Sequence, residues 1–372
     1  MIWNMYSQNM NANNQKRNKK KKRNFIFRGV SILCTIVFLV SGLCGCTAGG
    51  NGEENLPKDQ KKLQVVTTIF PQYDFVRQIA GDNVSLTMLL KPGEETHSYE
   101  PTPQDIIAIQ NADLFIYVGG ENDEWVEDIL ESPEMKDVKR LRLVDCVGNI
   151  LAEEHVEGMK EERGHSHEDE EEESHDEEEH FLHSAEETEE EHNEHVHTMD
   201  EHVWTSPGNA IDIVEHITEE LCSLDSEHGQ TYKDNAEAYE TQLKELDTAF
   251  RDVVENAKNH TLLFGDRFPF RYFAAEYGLD YYAAFSGCAS DTEPSAATMA
   301  FLINKVKEEH IPVVLKMELS NDNIANAIAE ACDIPVKVFY SSHNISAKQF
   351  EAGVTYLDLM KENVETLKEA LR

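Results

Sequence analysis

The sequence predicts an α/β protein of two lobes, each with a parallel-type sheet, joined by a long rigid helix. Three observations carry that prediction. Short apolar β-rich runs alternate with amphipathic stretches from about residue 64 to 144, the pattern of a parallel sheet with crossover helices. The same rhythm returns from 261 to 340. Between them lies a single uninterrupted stripe of apolar residues at helical spacing. The chain has 372 residues, enough for two domains of ordinary size.

In the first lobe, Gln64 to Phe70 (QVVTTIF), Val84 to Leu90, Asp113 to Val118 (DLFIYV) and Leu141 to Val144 read as strands. Pro71 to Ala80 reads as a helix. Thr102-Pro103-Gln104-Asp105 supplies a helix N-cap, a proline at the first helical position and an acid two residues on, followed by Ile106, Ile107 and Ile109. In the second lobe, Thr261 to Phe264, Asp280 to Ala284, Val313 to Lys316 and Val336 to Tyr340 read as strands. Phe268 to Tyr277, Ala296 to Glu309 and Asp322 to Cys332 read as helices, and Ala347 to Leu371 as the final one. The connecting stripe is Tyr232, Ala236, Tyr239, Leu243, Leu246, Phe250, Val253 and Ala257. At 1.5 Å per residue it extends roughly 39 Å. The expected divisions are 63–227 for the first lobe, 228–258 for the connector and 259–372 for the second lobe.

The N-terminus reads as a targeting segment. Eight Lys/Arg and no acid occur in residues 1–45, followed by an apolar run from Val30 to Leu43. Fourteen residues fall short of the roughly twenty that span a bilayer, and suit a secretory signal. The run ends Leu43-Cys44-Gly45-Cys46, which resembles a bacterial lipobox and implies cleavage before Cys46 and lipid attachment to its thiol. Residues 46–62 then form a lipidated, Gly/Asn/Lys/Glu-rich flexible tether. Cys146, Cys222, Cys288 and Cys332 remain. They show no CxxC spacing, and the sequence does not choose among their three full disulfide pairings.

The formal net charge is −38, which argues against nucleic acid as a partner. Much of it sits in residues 153–201, with 23 acids, two basic residues and nine His: His155, His165, His167, His175, His180, His183, His192, His195 and His197. Almost nothing there can build a core, so the stretch reads as a disordered insertion. Imidazole interleaved with carboxylate suits borderline divalent cations, Zn²⁺ above all, in several weak sites.

Two further His stand in defined loops. His97 lies between a strand and the Thr102-capped helix, beside the C-terminal edge of a sheet, where open α/β sheets bind ligands. His202 lies in Asp200-Glu201-His202-Val203-Trp204-Thr205-Ser206-Pro207, where Ser206 and Pro207 start a helix with Ile211, Val214, Ile217 and Leu221 on its apolar face.

Thr67-Thr68-Ile69-Phe70-Pro71-Gln72-Tyr73-Asp74-Phe75, His97-Ser98-Tyr99-Glu100-Pro101-Thr102-Pro103, the His-rich acidic insertion and His202-Val203-Trp204 occur in that order. Over about residues 62–370 the chain resembles the zinc-binding lipoproteins of bacterial ABC importers, the ZnuA/AdcA type of the cluster A-I solute-binding proteins. The resemblance implies one metal held between two α/β lobes, with His97 and His202 as first-lobe ligands. It also implies a permease and its ATPase as partners, and a membrane-anchored, extracytoplasmic location. A monomer is expected.

The second lobe departs from the family. Where a ligating His or Glu is usual after its first strand, this chain has Gly265, and Asp266 is the nearest coordinating group. Where an Asp is usual after the last strand, it has His343. Glu318, past another strand end, is a further carboxylate at the same edge. Three His with a carboxylate or water suit tetrahedral Zn²⁺. Two His with two carboxylates would lean to Mn²⁺ or Fe²⁺. The expected function is capture of Zn²⁺ for import, without catalysis. A secreted metallohydrolase is the competing class, but H-E-x-x-H and G-x-S-x-G are both absent. An adhesin or extracellular metal buffer would need only the anchor and the loop.

Overall fold

The computed structural model describes residues 62–94, 99–159, 199–287, 289 and 293–372. The predicted signal, the predicted tether from Cys46 up to residue 61, the 95–98 segment containing His97, and residues 160–198 lie outside them.

The first sheet contains β1 (Leu63–Thr67), β2 (Val84–Met88), β3 (Leu114–Tyr117) and β4 (Lys139–Arg142) in the order β2-β1-β3-β4, all parallel. The second contains β5 (Thr261–Phe268), β6 (Asp280–Ser286), β7 (Val314–Lys316) and β8 (Val336–Val338) in the order β6-β5-β7-β8, again all parallel. The two lobes therefore repeat one topology. In each, the chain leaves the first strand in one direction and returns on the other side at the third. That reversal opens a crevice at the C-terminal ends of the strands. Every residue of β3 is buried, as a strand covered on both faces requires.

The first-lobe helices are α1 (Phe70–Ala80), α2 (Pro103–Gln110), α3 (Glu124–Leu130) and α4 (Pro207–Leu224). The start of α2 is as the sequence predicts: Thr102 and Asp105 form a capping box with Pro103 at the first position. The connector is α5 (Gly229–Glu255), about 40 Å of helix. It buries Tyr232, Ala236, Tyr239, Leu243, Leu246, Phe250 and Val254. The predicted stripe ends on Val253 and Ala257 instead. A 3.5-residue period drifts by about 20° per heptad on a straight helix, so the buried position slips forward to Val254 by the last turn, and Ala257 lies beyond the helix end.

The second lobe adds α6 (Arg271–Tyr277), α7 (Ala296–Glu309), α8 (Asn323–Cys332), α9 (Ala347–Glu351) and α10 (Tyr356–Ala370). The predicted final helix is two helices. Gly353 takes φ +74 between them, and separate capping boxes, Ser346 with Gln349 and Thr355 with Asp358, start each one.

The connector packs against α1 and α4 on one side and α6 and α10 on the other. Asn235 Nδ2 donates to Ile79 O at 2.9 Å, and Phe250 meets Phe273 edge-on at 4.9 Å. One apolar cluster accordingly runs from Val65 and Ile116 through Leu243 and Phe250 to Phe264 and Phe339. Polar bonds fasten the lobes as well. Buried Asp74 accepts from Tyr356 N at 2.6 Å and from Arg77, whose guanidinium also reaches Val354 O. Asn344 Nδ2 donates to Lys91 O and Glu94 O at 2.9 and 2.8 Å.

The folded body takes more of the 153–201 stretch than its composition suggests. Ala152 and Met199 form an antiparallel bridge that closes its base. Met159 is buried, and Glu154 pairs with Arg271 at 3.0 Å and accepts from Tyr281 Oη. Asp200 and Glu201 are each only 1% exposed. Local charge density cannot reveal that Glu154 meets Arg271 or that Glu201 accepts from Asn122 N at 3.1 Å. Cys146, Cys222 and Cys332 are free thiols, and Cys288 lies outside the described residues.

Candidate metal-binding cleft

The loops after β2, β5, β6, β7 and β8 and the 199–206 segment converge on one small cleft. Gly93, Glu94, His202, Arg267, Gly287, Glu318 and His343 are among its lining residues, and it holds about 80 Å³ of free space.

His202 is the most constrained of the predicted residues. It is 1% exposed, and Asp200 Oδ1 accepts from its backbone N at 2.9 Å and faces its Nδ1 at 3.0 Å. A carboxylate on Nδ1 fixes the proton there and leaves the Nε2 lone pair for a metal, while raising ligand basicity. Burial pulls the His202 pKa down, but the charge and hydrogen bond of Asp200, with Glu201 and Glu153 farther off, outweigh it, and the net shift is upward. The Cε1 side of the ring faces Gly287, where a Cβ would stand 3.3 Å from it.

His343 arrives from the second lobe, on the loop after β8. Its ring centroid lies 5.7 Å from that of His202, at 78°. Two imidazoles bound to one zinc at about 2.0–2.1 Å and a tetrahedral angle have centroids about 5 Å apart. Trp204 lies against both rings, 5.4 Å from His202 and 5.0 Å from His343. Its indole N–H donates to Ser341 O at 2.9 Å, and the His343 carbonyl accepts from Phe70 N. The His343 loop is thereby tied to the first lobe on both sides of the ring.

The two carboxylates suggested by the sequence are used differently. Asp266 does not line the cleft. Its Oδ2 accepts from Met317 N at 2.9 Å and from Ser320 Oγ, and its Oδ1 from Arg267 N. Glu318 does line it, but its two oxygens accept from Ser341 N and Ser341 Oγ, each at 2.7 Å. Burial raises the Glu318 pKa to about 6 against these bonds. Together they form a relay of loops: Asp266 holds the 317–320 turn, Glu318 in that turn holds Ser341, and Ser341 Oγ accepts from His343 N at 3.2 Å. Leu319 and Ser342, beside Glu318 and His343, both take positive φ (60 and 59), the kind of strained backbone that concentrates at binding sites.

The residue that β5 sends into the cleft is Arg267, which sequence reasoning missed. The pairing of β5 with β6 shifts between Phe264 and Arg267. Such a bulge changes which residue faces the cleft. Gly265 has its own reason to be glycine: a Cβ there would sit 2.5 Å from Ala325 Cα in α8. A glycine inside a strand pattern was the available signal for the bulge.

His97 lies outside the described residues, in the gap between Glu94 at the cleft wall and Tyr99. Among the described residues, no group of three or more His, Cys, Asp or Glu could hold a metal ion. His155 is exposed, and the other eight His of the acidic stretch are outside the described residues.

Two parallel-sheet lobes, a shared helix and a small polar cleft at the strand ends define a two-lobed solute-binding protein. The family described as "Zinc-uptake complex component A periplasmic" matches residues 65–370, and the chain belongs to it. The zinc-binding lipoprotein AdcA of Streptococcus pneumoniae strain R6 is 32% identical over 309 residues, 83% of this chain and 56% of the relative. The chain thus spans about half the length of the AdcA relatives it matches. The high-affinity zinc uptake system protein ZnuA of Bacillus subtilis is 31% identical over 341 residues, covering 90% of this chain and 94% of the relative. Among solved structures, the Zn(II)-bound ZnuA-like domain of S. pneumoniae AdcA aligns with TM-score 0.63 at 28% identity, over 83% of this chain and 99% of that one.

Proposed function

We propose that the chain captures Zn²⁺ outside the cytoplasmic membrane and delivers it to an ABC permease powered by a cytoplasmic ATPase. It acts as a carrier and not as an enzyme. The observation that carries this reading is the meeting of His202 and His343 across the cleft at 5.7 Å, with Asp200 fixing the His202 tautomer. His97 supplies a third imidazole from the 95–98 segment. Three neutral imidazoles suit zinc over the harder Mn²⁺. The family and the zinc-binding relatives support the cargo. Residues 1–45 act as the signal, and a lipid on Cys46 keeps the carrier beside its permease. Among the described residues, no helix is long and apolar enough to cross a membrane.

The acidic, His-rich stretch collects zinc weakly and feeds the cleft. The packing of Glu154 and Met159 sets the proper deletion at 160–198, across the Ala152–Met199 bridge. Calorimetric titration of that deletion should retain one tight zinc site and lose the weak ones. Loss of the tight site would place the main site in the deleted stretch and overturn the assignment.

A further inference from the structure

His202 sits in the first lobe, but the backbone on each side of it is held from the second. Two residues before it, Asp200 O accepts from Tyr272 Oη at 2.8 Å. Two residues after it, Trp204 O accepts from Tyr356 Oη at 2.7 Å. Tyr272 stands in the first turn of α6, and Tyr356 opens α10. Both phenols are buried. The carbonyls between the two grips are served locally. Glu201 O accepts from Val203 N, His202 O from Thr205 Oγ1 at 2.8 Å, and Val203 O from Asn209 Nδ2 at 3.0 Å. The outer two reach across to the other lobe.

The gripped residues are the ones that orient the His202 ring. Asp200 Oδ1 faces its Nδ1 at 3.0 Å, and the Trp204 ring lies against it with the indole N–H fixed on Ser341 O. Tyr272 Oη also accepts from Leu151 N at 3.1 Å, and Leu151 O accepts from Asp200 N at 2.9 Å. One hydroxyl thus donates to one strand of this stem and accepts from the other, as a group with both a proton and lone pairs can. Burial raises both phenol pKa values, that of Tyr272 to about 12, so each keeps the proton it donates. A neutral donor holds the segment without placing a cation beside a bound dication.

We propose that Tyr272 and Tyr356 are positioning residues for zinc, gripping the backbone on both sides of His202 so that its ring meets the metal already oriented. This rests on the zinc-carrier reading with His202 as a ligand, and deepens it: the second lobe supplies His343 directly and sets His202 through its two phenols. A bond that only fills the interface is equal in the metal-free and zinc-bound protein, and cancels from the affinity. A bond that holds the ligand ring in place lowers the cost of ordering the site, so its loss weakens binding.

Tyr272→Phe and Tyr356→Phe remove the hydroxyls and keep the rings. Tyr232→Phe is the control, a buried phenol of α5 whose Oη donates to Asp225 Oδ2 at 2.7 Å, outside the 200–204 segment. Zinc affinity of the full chain is measured by competition with a chromophoric chelator. The visible d–d bands of the Co²⁺-loaded protein report the ligand geometry. Y272F and Y356F should each weaken zinc binding about three- to tenfold, the scale of one hydrogen bond, and shift the cobalt bands. Y232F should do neither. Circular dichroism confirms folding, and each phenol is tested by itself, so one folded variant suffices. Parent-like zinc affinity, unshifted cobalt bands, or an equal loss in Y232F overturns the positioning role and leaves the zinc carrier standing. Failure of the parent to bind zinc at all overturns both.

Discussion

Asp200→Asn isolates the part of the site that acts without touching the metal. In the parent, Asp200 Oδ1 receives the His202 backbone N–H at 2.9 Å and faces Nδ1 at 3.0 Å, with both residues almost fully buried. Asparagine keeps the shape and one acceptor oxygen but loses the charge. The ring is then less basic and its tautomer less firmly set. Changes to such supporting partners weaken metal binding by about 10–100-fold, or about 1.4–2.7 kcal/mol.

The pH dependence gives a second, independent signature. Burial depresses the His202 pKa, Asp200 more than restores it, and the net shift is upward. Without the Asp200 charge, burial dominates, and the D200N pKa should fall below the parent's. A proton competes with zinc for Nε2. As pH drops, the parent therefore begins to lose zinc at a higher pH than the variant does. The affinity gap between them should be widest at alkaline pH and narrow as pH falls through the parent's His202 pKa. Chelator competition across pH measures the gap, and NMR titration of the metal-free His202 ring measures the pKa. Equal zinc affinity in both proteins at every pH would mean that His202 is not a ligand oriented by Asp200.

Three further outcomes follow. His343→Ala removes one Zn–N bond and should weaken zinc binding by about 100-fold or more, roughly 2.7 kcal/mol, whereas His343→Asp should shift preference toward Mn²⁺; parent-like calorimetry in both would remove His343 from the site. Asp123 is buried and accepts from Val118 N and Gly119 N; burial and the nearby Glu201 push its pKa to about 7. Because this pKa is raised, its stabilising contribution is present at low pH and lost as pH rises from about 4 through 7. At about 1.4 kcal/mol per unit the loss is about 4 kcal/mol. Asp123→Asn, which keeps an acceptor, should flatten the melting temperature across that window, and an unchanged slope would contradict the assignment. Gly265→Ala places a Cβ against the α8 backbone and should destabilise by about 1–3 kcal/mol in urea unfolding; an unchanged midpoint would mean that α8 yields freely.

The parts of the fold visible in sequence were those written in local chemistry. The Thr102–Asp105 cap, the apolar run of β3 and the long stripe of α5 each need only a few consecutive residues to be recognised. The His343 setting was legible for the same reason, since it directly follows a strand. The carboxylates were harder. Asp266 and Glu318 have the right residue type at the right edge of the sheet, yet their partners are Met317, Ser320 and Ser341, which only the packed loops bring near. Arg267 was hidden by one inserted residue. A bulge changes which side chain enters the cleft without changing composition or periodicity enough to announce itself. Asp200 and Glu201 look like the tail of an acidic run, and only their burial shows that they belong to the folded body.

The shared helix also bears on how the molecule comes apart. Residues Lys61–Arg372 form one compact unit, and the apolar cluster of α5 continues into both sheets. Each sheet also has a smaller buried cluster of its own, around Phe115 in the first lobe and Leu263 in the second, but the largest one is shared through that helix. Heating should therefore melt both lobes in one cooperative transition with matching calorimetric and van't Hoff enthalpies. A ligand bound at the strand ends would then protect amides throughout the body, including those in the last turns of α4 and α10, because the whole assembly opens as one.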